Sequence, residues 1–320
     1  YMEELFMQTD GISDISGWDV SSVKYMNGMF MNTTFNGDIS SWDTSNVISL
    51  YKTFMYTSFN GDISSWDTSN VTNMAHLFST SKFNGDISSW DTSNVTDMLD
   101  LFAYSPFNQD ISAWDTSNVV RMRGMFYQNI SFNQPIGDWD VSNVTNMYAM
   151  FAGNTSFNQP IGNWDVSNVT WMESMFYSAT SFDQPLANWN VGNATNMKSM
   201  FLNSSFNQDI SSWDVSNVND MSYMFYNNLF NTTKFNQPIG DWDVSNVTNM
   251  RFMFSNTPFN QDIGNWDVSR VQNMQSMFSN TPFNQDISSW DVSSVTNMKL
   301  MFWNAASFNS DISKWDVSSV

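Results

Sequence analysis

The stretch Trp139-Asp-Val-Ser-Asn-Val-Thr-Asn-Met-Tyr-Ala-Met-Phe151 decides how this chain is read, because it recurs from one end to the other. Trp-Asp returns at Trp18, Trp42, Trp66, Trp90, Trp114, Trp139, Trp164, Trp213, Trp242, Trp266, Trp290 and Trp315, and Trp189-Asn190 fills the one gap. The spacings are 24 or 25 residues, apart from 29 between Trp213 and Trp242. A fixed period of this length marks a repeat architecture, in which a single copy cannot bury its apolar face and neighbours must cover it.

Reading outward by column gives the core. Phe stands seven residues before Trp in 12 of 13 copies, and 12 after Trp in all 12 copies that extend so far. Met dominates the positions eight and eleven after Trp. Together these columns take 24 of the 27 Phe and 20 of the 24 Met. Side chains tied to fixed columns belong to a packed interior, not to an adaptable peptide groove.

Within the copy from Phe132 to Phe151, Ile136, Trp139 and Val141 are apolar at i, i+3 and i+5, and Trp139-Asp140-Val141 alternates in, out, in as a short strand does. Val144, Met147, Met150 and Phe151 then fall at i, i+3, i+6 and i+7, the spacing of one helix face, behind Ser142 and Asn143 as N-cap residues. Asn154 to Gln159 carries the turn chemistry that returns the chain. These periods predict an α/β solenoid, leucine-rich-repeat-like, with a short parallel β-strand and a short helix in every 24–25-residue repeat. An all-β solenoid is the alternative. Stacked strands would repeat about every 4.8 Å. We read residues 1–320 as a single solenoid of about 13 repeats, with a longer repeat at 213–242. Both ends cut through a repeat, so the chain is expected to continue into further copies.

Composition narrows the role. The 320 residues carry 31 acids and 11 bases, a net charge of −20, which disfavours nucleic-acid binding because that surface needs Lys and Arg to displace counterions. Zero Cys removes disulfides, thiolate metal sites and a Cys nucleophile. The one His, His76, has no acid–base companions in the sequence pattern, and no phosphate-binding Gly loop or G-x-S-x-G appears. The longer repeat, Tyr226 to Lys234, supplies only a lone Lys. The reading is therefore non-enzymatic. No run of about 18 apolar residues is present, so no membrane span is expected.

The phrase W-D-V-S-N-V-T-N-M-x-x-M-F, whole at Trp139–Phe151 and Trp242–Phe254 and with Trp171 in place of Asn at Trp164–Phe176, resembles the BspA-like leucine-rich-repeat surface proteins. It is closer still to the Trp-Asp repeats of unknown function of mycoplasma surface lipoproteins. The resemblance covers essentially the whole chain. It implies an extracellular or cell-surface repeat protein used for adhesion or as a structural scaffold. Its partners would be a protein or a glycan at a cell surface, or further copies of itself. It carries over no catalytic residue. A calcium- or glycan-binding surface module is the alternative role.

Three sets of residues are candidates for sites. Asp follows Trp in 12 of 13 copies and stands four before it in nine, and together these columns hold 21 of the 31 acids. Stacked carboxylates repel, so something must offset them. We expect each Asp to accept the backbone N–H two or three residues on, as an Asx-turn. The other reading is Ca²⁺ bridging adjacent copies through Asp43, Asp67, Asp91 and Asp115. The Asn column one residue after the recurring Phe, Asn36 to Asn309 with Asp183 as the exception, is expected to ladder against the backbone of adjacent copies. Side chains that differ between copies are the candidates for partner binding: Arg121 and Trp171 seven after Trp, and Arg123, Tyr148, Tyr223 and Phe252 nine or ten after it. In a eukaryotic secretory setting, glycans are expected at the variable-stretch sequons Asn32, Asn129, Asn154, Asn203 and Asn231 rather than at those inside N-V-T.

Overall fold

The computed structural model describes residues 1–228 and 234–320. The chain divides into two compact units, Tyr1–Pro160 and Ile161–Val320. Each is a stack of copies in which a residue lies beside its equivalent in the next copy.

The expected α/β solenoid with leucine-rich-repeat character does not form. Among the described residues there is no helix, and paired strand is reduced to single-residue parallel bridges. The bridges fall on the column seven after Trp, at Tyr25, Ser49, Asn73, Asp97, Arg121 and Asn146 in the first unit. In the second they join Trp171, Asn196, Asp220, Asn249, Asn273 and Asn297. The strand expected at Ile-x-x-Trp-x-Val is absent for a local reason. Trp139 N–H closes a turn on Ile136 C=O at 3.2 Å, and Val144 N–H closes another on Val141 C=O at 2.9 Å. Only Trp139-Asp140-Val141 is left between them, too short to pair.

The expected helix is replaced by a run of turns. In the copy after Trp42, Thr53 N–H bonds Leu50 C=O and Met55 N–H bonds Lys52 C=O, both at 3.1 Å. The alternate N–H groups point away from the copy. Leu50, Lys52, Phe54 and Tyr56 donate to Asn73, Ala75, Leu77 and Ser79 of the next copy, each at 3.0 Å. The second unit repeats this, with Met250, Phe252 and Phe254 donating to Asn273, Gln275 and Met277 at 2.8–3.1 Å. Such alternation requires left-handed backbone every fourth residue. Lys52 and Tyr56 have φ 58° and 57°, His76 and Thr80 57° and 55°, and Phe252 and Asn256 57° and 59°. A left-handed residue at the third place of a four-residue turn is the signature of type II geometry, and it ends any α-helix. Each non-glycine residue held there costs about 1–2 kcal/mol. The bond to the next copy offsets that cost, so the conformation belongs to the stack and not to the isolated repeat.

The interior is three aromatic columns. Phe54 stacks face to face on Phe59 within its copy at 4.3 Å, and Phe254 on Phe259 at 3.9 Å. Between copies, Phe54–Phe78 repeats at 5.8 Å, Phe59–Phe83 at 6.2 Å and Trp66–Trp90 at 6.4 Å, with rings within 6° of parallel. In the second unit Phe254–Phe278 repeats at 5.9 Å and Trp290–Trp315 at 6.4 Å. Parallel rings at these separations are offset stacks. The copies lie closest on the side where backbone bonds join them and farther apart at the Trp column. There the indole does the joining: Trp66 Nε1–H donates to Ile39 C=O of the previous copy at 3.1 Å, and Trp266 Nε1–H to Ile239 C=O at 3.1 Å. Each fully buried Phe contributes about 1.5–3 kcal/mol through the apolar area it removes from water.

The longer repeat leaves this register intact. Phe225 still stacks on Phe235 at 3.6 Å, and Trp242 Nε1–H still reaches Ile210 C=O at 3.1 Å. The columns thus continue on both sides of it. Among the described residues no helix is long and apolar enough to cross a membrane.

Candidate functional site

The repeated polar columns are committed to the stack. Asp43 accepts from Ser45 N–H at 3.1 Å and from its hydroxyl at 2.6 Å. Asp67, Asp91 and Asp115 do the same with Ser69, Ser93 and Ser117, with hydroxyl contacts of 2.6 Å. The column four before Trp behaves alike, as in Asp38 with Ser40 and Asp209 with Ser211. These are the Asx-turns read from the sequence. The hydroxyl and backbone N–H of Ser45 hold Asp43 below the ordinary carboxylate range, and repulsion from Asp19 is the smallest of the opposing effects. In the one copy without an Asp after Trp, Asn190 serves the same turn by accepting Gly192 N–H at 3.2 Å.

The Asn column forms the expected ladder. Asn60, Asn84 and Asn108 N–H groups donate to the Oδ1 of Asn36, Asn60 and Asn84, each at 2.8 Å. Asp183 substitutes without loss, because its Oδ1 accepts Asn207 N–H at 2.9 Å. A second ladder runs beside it. The Asn of Ser-Asn-Val donates Nδ2–H to a carbonyl of the previous copy, as Asn70 does to Ser45 at 2.8 Å and Asn193 to Ser167 at 2.7 Å.

This burial pattern corrects the glycan assignment. Asn129 and Asn154 are fully buried, with Nδ2–H bonded to Phe107 C=O at 3.0 Å and Phe132 C=O at 3.1 Å. Asn203 is buried as well and accepts Asn228 N–H at 2.8 Å through its Oδ1. Variable stretches are not outward loops here, because their polar side chains fold in to satisfy turn backbone. Asn32 is exposed, and Asn231 lies outside the described residues. The N-V-T asparagines Asn70 and Asn94 are exposed instead.

The partner-binding candidates fall into separate groups. Arg123 lies over the Tyr148 ring at 4.8 Å. Arg121 pairs with Asp97 at 2.9 Å on the surface. In the second unit Tyr223 and Phe252 stack at 5.0 Å, and Tyr226 meets both edge-on at 5.6 and 5.4 Å. Arg251, absent from the candidates, covers this cluster at 5.3 Å from Tyr223 and 5.2 Å from Phe252. Its Nε is buried and has no hydrogen-bond partner among the described residues. Trp171 stands apart with 41% of its surface exposed.

The sequence also missed Asp100. His76, Asp100, Gly124 and Ala149 occupy one column, ten after Trp, and all are left-handed. His76 Nδ1 lies 3.6 Å from Asp100 Oδ2. Burial pushes the Asp100 carboxyl up to about 6 against the pull of Arg123. Burial also lowers His76, assisted by Lys52. Tyr127 packs edge-on to Tyr104 at 5.2 Å, and its phenol is raised mainly by a hydrogen bond with Tyr104. Periodicity could not find this group, because its members come from different copies. The loss of side chain at Gly124, directly after Lys52, His76 and Asp100 in the same column, was the available signal. Among the described residues no three His, Asp or Glu side chains are placed to hold a metal ion.

A family profile described as "Mycoplasma protein of unknown function, DUF285" matches residues 1–106, 101–205, 188–232 and 226–320. The chain belongs to this family. The four matches span it from end to end, as the Trp-Asp columns do. The description assigns the family no activity, so the arrangement of the side chains has to carry any functional reading. No curated protein matches. A solved structure described as the "Crystal structure of TLR13-ssRNA13 complex" is similar at a TM-score of 0.19 and 10% identity, over 82% of this chain and 48% of that one. The chain thus spans about half of that protein's length, and so slight a likeness carries no argument about fold or ligand.

Proposed function

We propose that this family member is a non-enzymatic, extracellular or cell-surface repeat protein that mediates adhesion, in the manner of the BspA-like surface proteins its motif resembles. One observation supports this above the others. The recurring columns are spent on stacking and on turns, whereas the side chains that differ between copies gather nine and ten residues after Trp. There they pack on one another as Arg123 on Tyr148 and as Arg251 on Tyr223 and Phe252. Arg and aromatic side chains held in fixed orientations are the residues that anchor protein interfaces, because little side-chain entropy remains to be lost. The scaffold is constant and the presented groups are not, which suits a recognition surface.

Two measurements test the reading. An antibody against the chain should label intact, unpermeabilised cells of the source organism. Beads coated with the chain should adhere to the surfaces those cells colonise, and adhesion should fall at least several-fold when Arg123, Tyr148, Tyr223 and Phe252 are replaced together by Ser. Labelling only after permeabilisation, or adhesion unchanged by the four replacements, would overturn it.

A further inference from the structure

The column ten after Trp carries Lys52, His76 and Asp100, then drops to Gly124 and Ala149. The drop opens a cleft of about 220 Å³ lined by Asp100, Arg123, Gly124, Tyr127, Tyr148 and Ala149. Its floor is built for the acid. A Cβ on Gly124 would clash with Asp100 Oδ1, so the carboxylate lies directly over the glycine backbone. Arg123 forms one wall. Its guanidinium lies over the Tyr148 ring, 4.8 Å from the centroid, and attracts the Asp100 carboxylate electrostatically. Tyr127, fixed edge-on by Tyr104, completes the enclosure.

These walls set the chemistry of an occupant. It must give hydrogen bonds to a carboxylate at one end and accept them from a guanidinium at the other. It must also fit a space smaller than the ~300–1,000 Å³ of drug-sized pockets, beside aromatic walls. Vicinal hydroxyls on a six-membered ring do both at once, since each hydroxyl donates and accepts, and the C–H face of such a ring suits an aromatic neighbour. Net charge selects further. The −20 of the chain repels an acidic sugar at long range, and within the cleft Arg123 offsets the attraction that Asp100 would give a cationic ligand.

We infer that the cleft between Asp100 and Arg123 is a binding site for one neutral sugar residue of a surface glycan. This rests on the adhesive reading above and gives it a ligand class. Asp100 accepts from ring hydroxyls, Arg123 donates to them, and Tyr127 and Tyr148 flank the ring. Gly124 is the residue that permits the carboxylate to sit on the floor.

Saturation-transfer NMR of the full chain with the methyl glycosides of glucose, galactose, mannose and N-acetylglucosamine tests this, with glycine as a zwitterionic probe. At least one glycoside should receive transfer from the protein. Its affinity should fall about tenfold or more in Asp100→Asn and in Arg123→Met, because a site built for hydroxyls leaves them unpaired when a partner is lost. Tyr148→Ala gives a second variant that keeps both charged groups but removes the ring beneath Arg123, and thermal unfolding of each variant reports whether the stack remains. No transfer to any glycoside, transfer equal in all variants, or transfer to glycine alone would overturn the inference. Adhesion of the same variants separates the two claims. Adhesion that survives in Asp100→Asn leaves the surface role standing without the cleft, and glycoside binding by a chain that adheres to nothing leaves the cleft without that role.

Discussion

Thr80 shows what the stack asks of single residues. It is β-branched yet held at φ 55°, where its N–H donates to Ala103 C=O at 2.7 Å. The same column fourteen after Trp holds Asn32, Asn203, Asn256, Asn280 and Asn304, all left-handed. Asn tolerates this region because its short polar side chain can bond locally, and in the stack Asn280 also reaches the previous copy, donating to Asn256 Oδ1 at 2.6 Å. Thr80→Asn is therefore expected to raise the free energy of unfolding by about 1 kcal/mol. Urea unfolding of the two proteins reads this directly, and a lower midpoint with an unchanged slope would show that Thr80 is not strained. The asparagines one residue after Phe teach the complementary lesson. Their role was legible, since a polar side chain repeated at one place needs a repeated partner, and Asp183 showed that only the acceptor oxygen matters.

At the scale of an element, aromatic stacking holds neighbouring copies in register. Phe102 touches Phe107 at 3.9 Å within its copy, Phe78 and Phe126 at 5.9 and 5.8 Å on either side, and Trp114 at 6.1 Å. Phe102→Ala should destabilise the unit it belongs to by about 3–5 kcal/mol, by lost transfer free energy and the cavity left in a rigid column. Calorimetry of the variant checks the figure, and a loss below about 1 kcal/mol would mean the column collapses around the gap. This core was fully legible: the Phe, Met, Trp and Val columns are the buried residues. The conformation carrying them was not. Val144, Met147, Met150 and Phe151 face inward at i, i+3, i+6 and i+7, as they would on a helix, because consecutive four-residue turns also return every third or fourth side chain to one side. Hydrophobic period cannot separate the two. Gly28, Gly124 and Gly153, with the asparagines fourteen after Trp, marked the left-handed positions and were the better guide. Asp100 and its cleft were illegible for another reason. A column of repeats reveals what copies share, and that group is made of what they do not.

At the scale of the whole molecule, the acid columns set how stability responds to pH and salt. Asp19, Asp43, Asp67, Asp115, Asp165 and Asp214 are lowered from 3.8 by hydrogen bonds from Ser, so folding favours their ionised form. That contribution is complete above pH 3.8 and is lost as pH falls through and below it. Asp100 has the opposite sign. Raised to about 6, it stabilises the fold fully below pH 3.8, and its contribution disappears as pH rises through about 6. Unfolding midpoints should therefore fall steeply below about pH 4; between about pH 4 and 6 the Asp100 contribution declines with rising pH while that of His76, lowered by burial, grows. Asp100→Asn should remove the declining contribution, so its midpoint should rise with pH more than the parent's across that window, and it should leave the acid limb unchanged. Above these windows the molecule carries its full −20, concentrated in two columns of like charge. Extending the Debye length from ~8 Å at physiological salt to ~30 Å at 0.01 M lets successive copies repel, so stability should drop on dilution of salt. Because Asp43, Asp67, Asp91 and Asp115 turn their carboxylates to their own Ser residues, CaCl₂ should act as ionic strength alone. Melting temperatures in CaCl₂, MgCl₂ and NaCl at matched ionic strength should coincide. A specific rise in CaCl₂, reversed by chelator, would mean that Ca²⁺ competes with Ser for the carboxylates and bridges the copies after all.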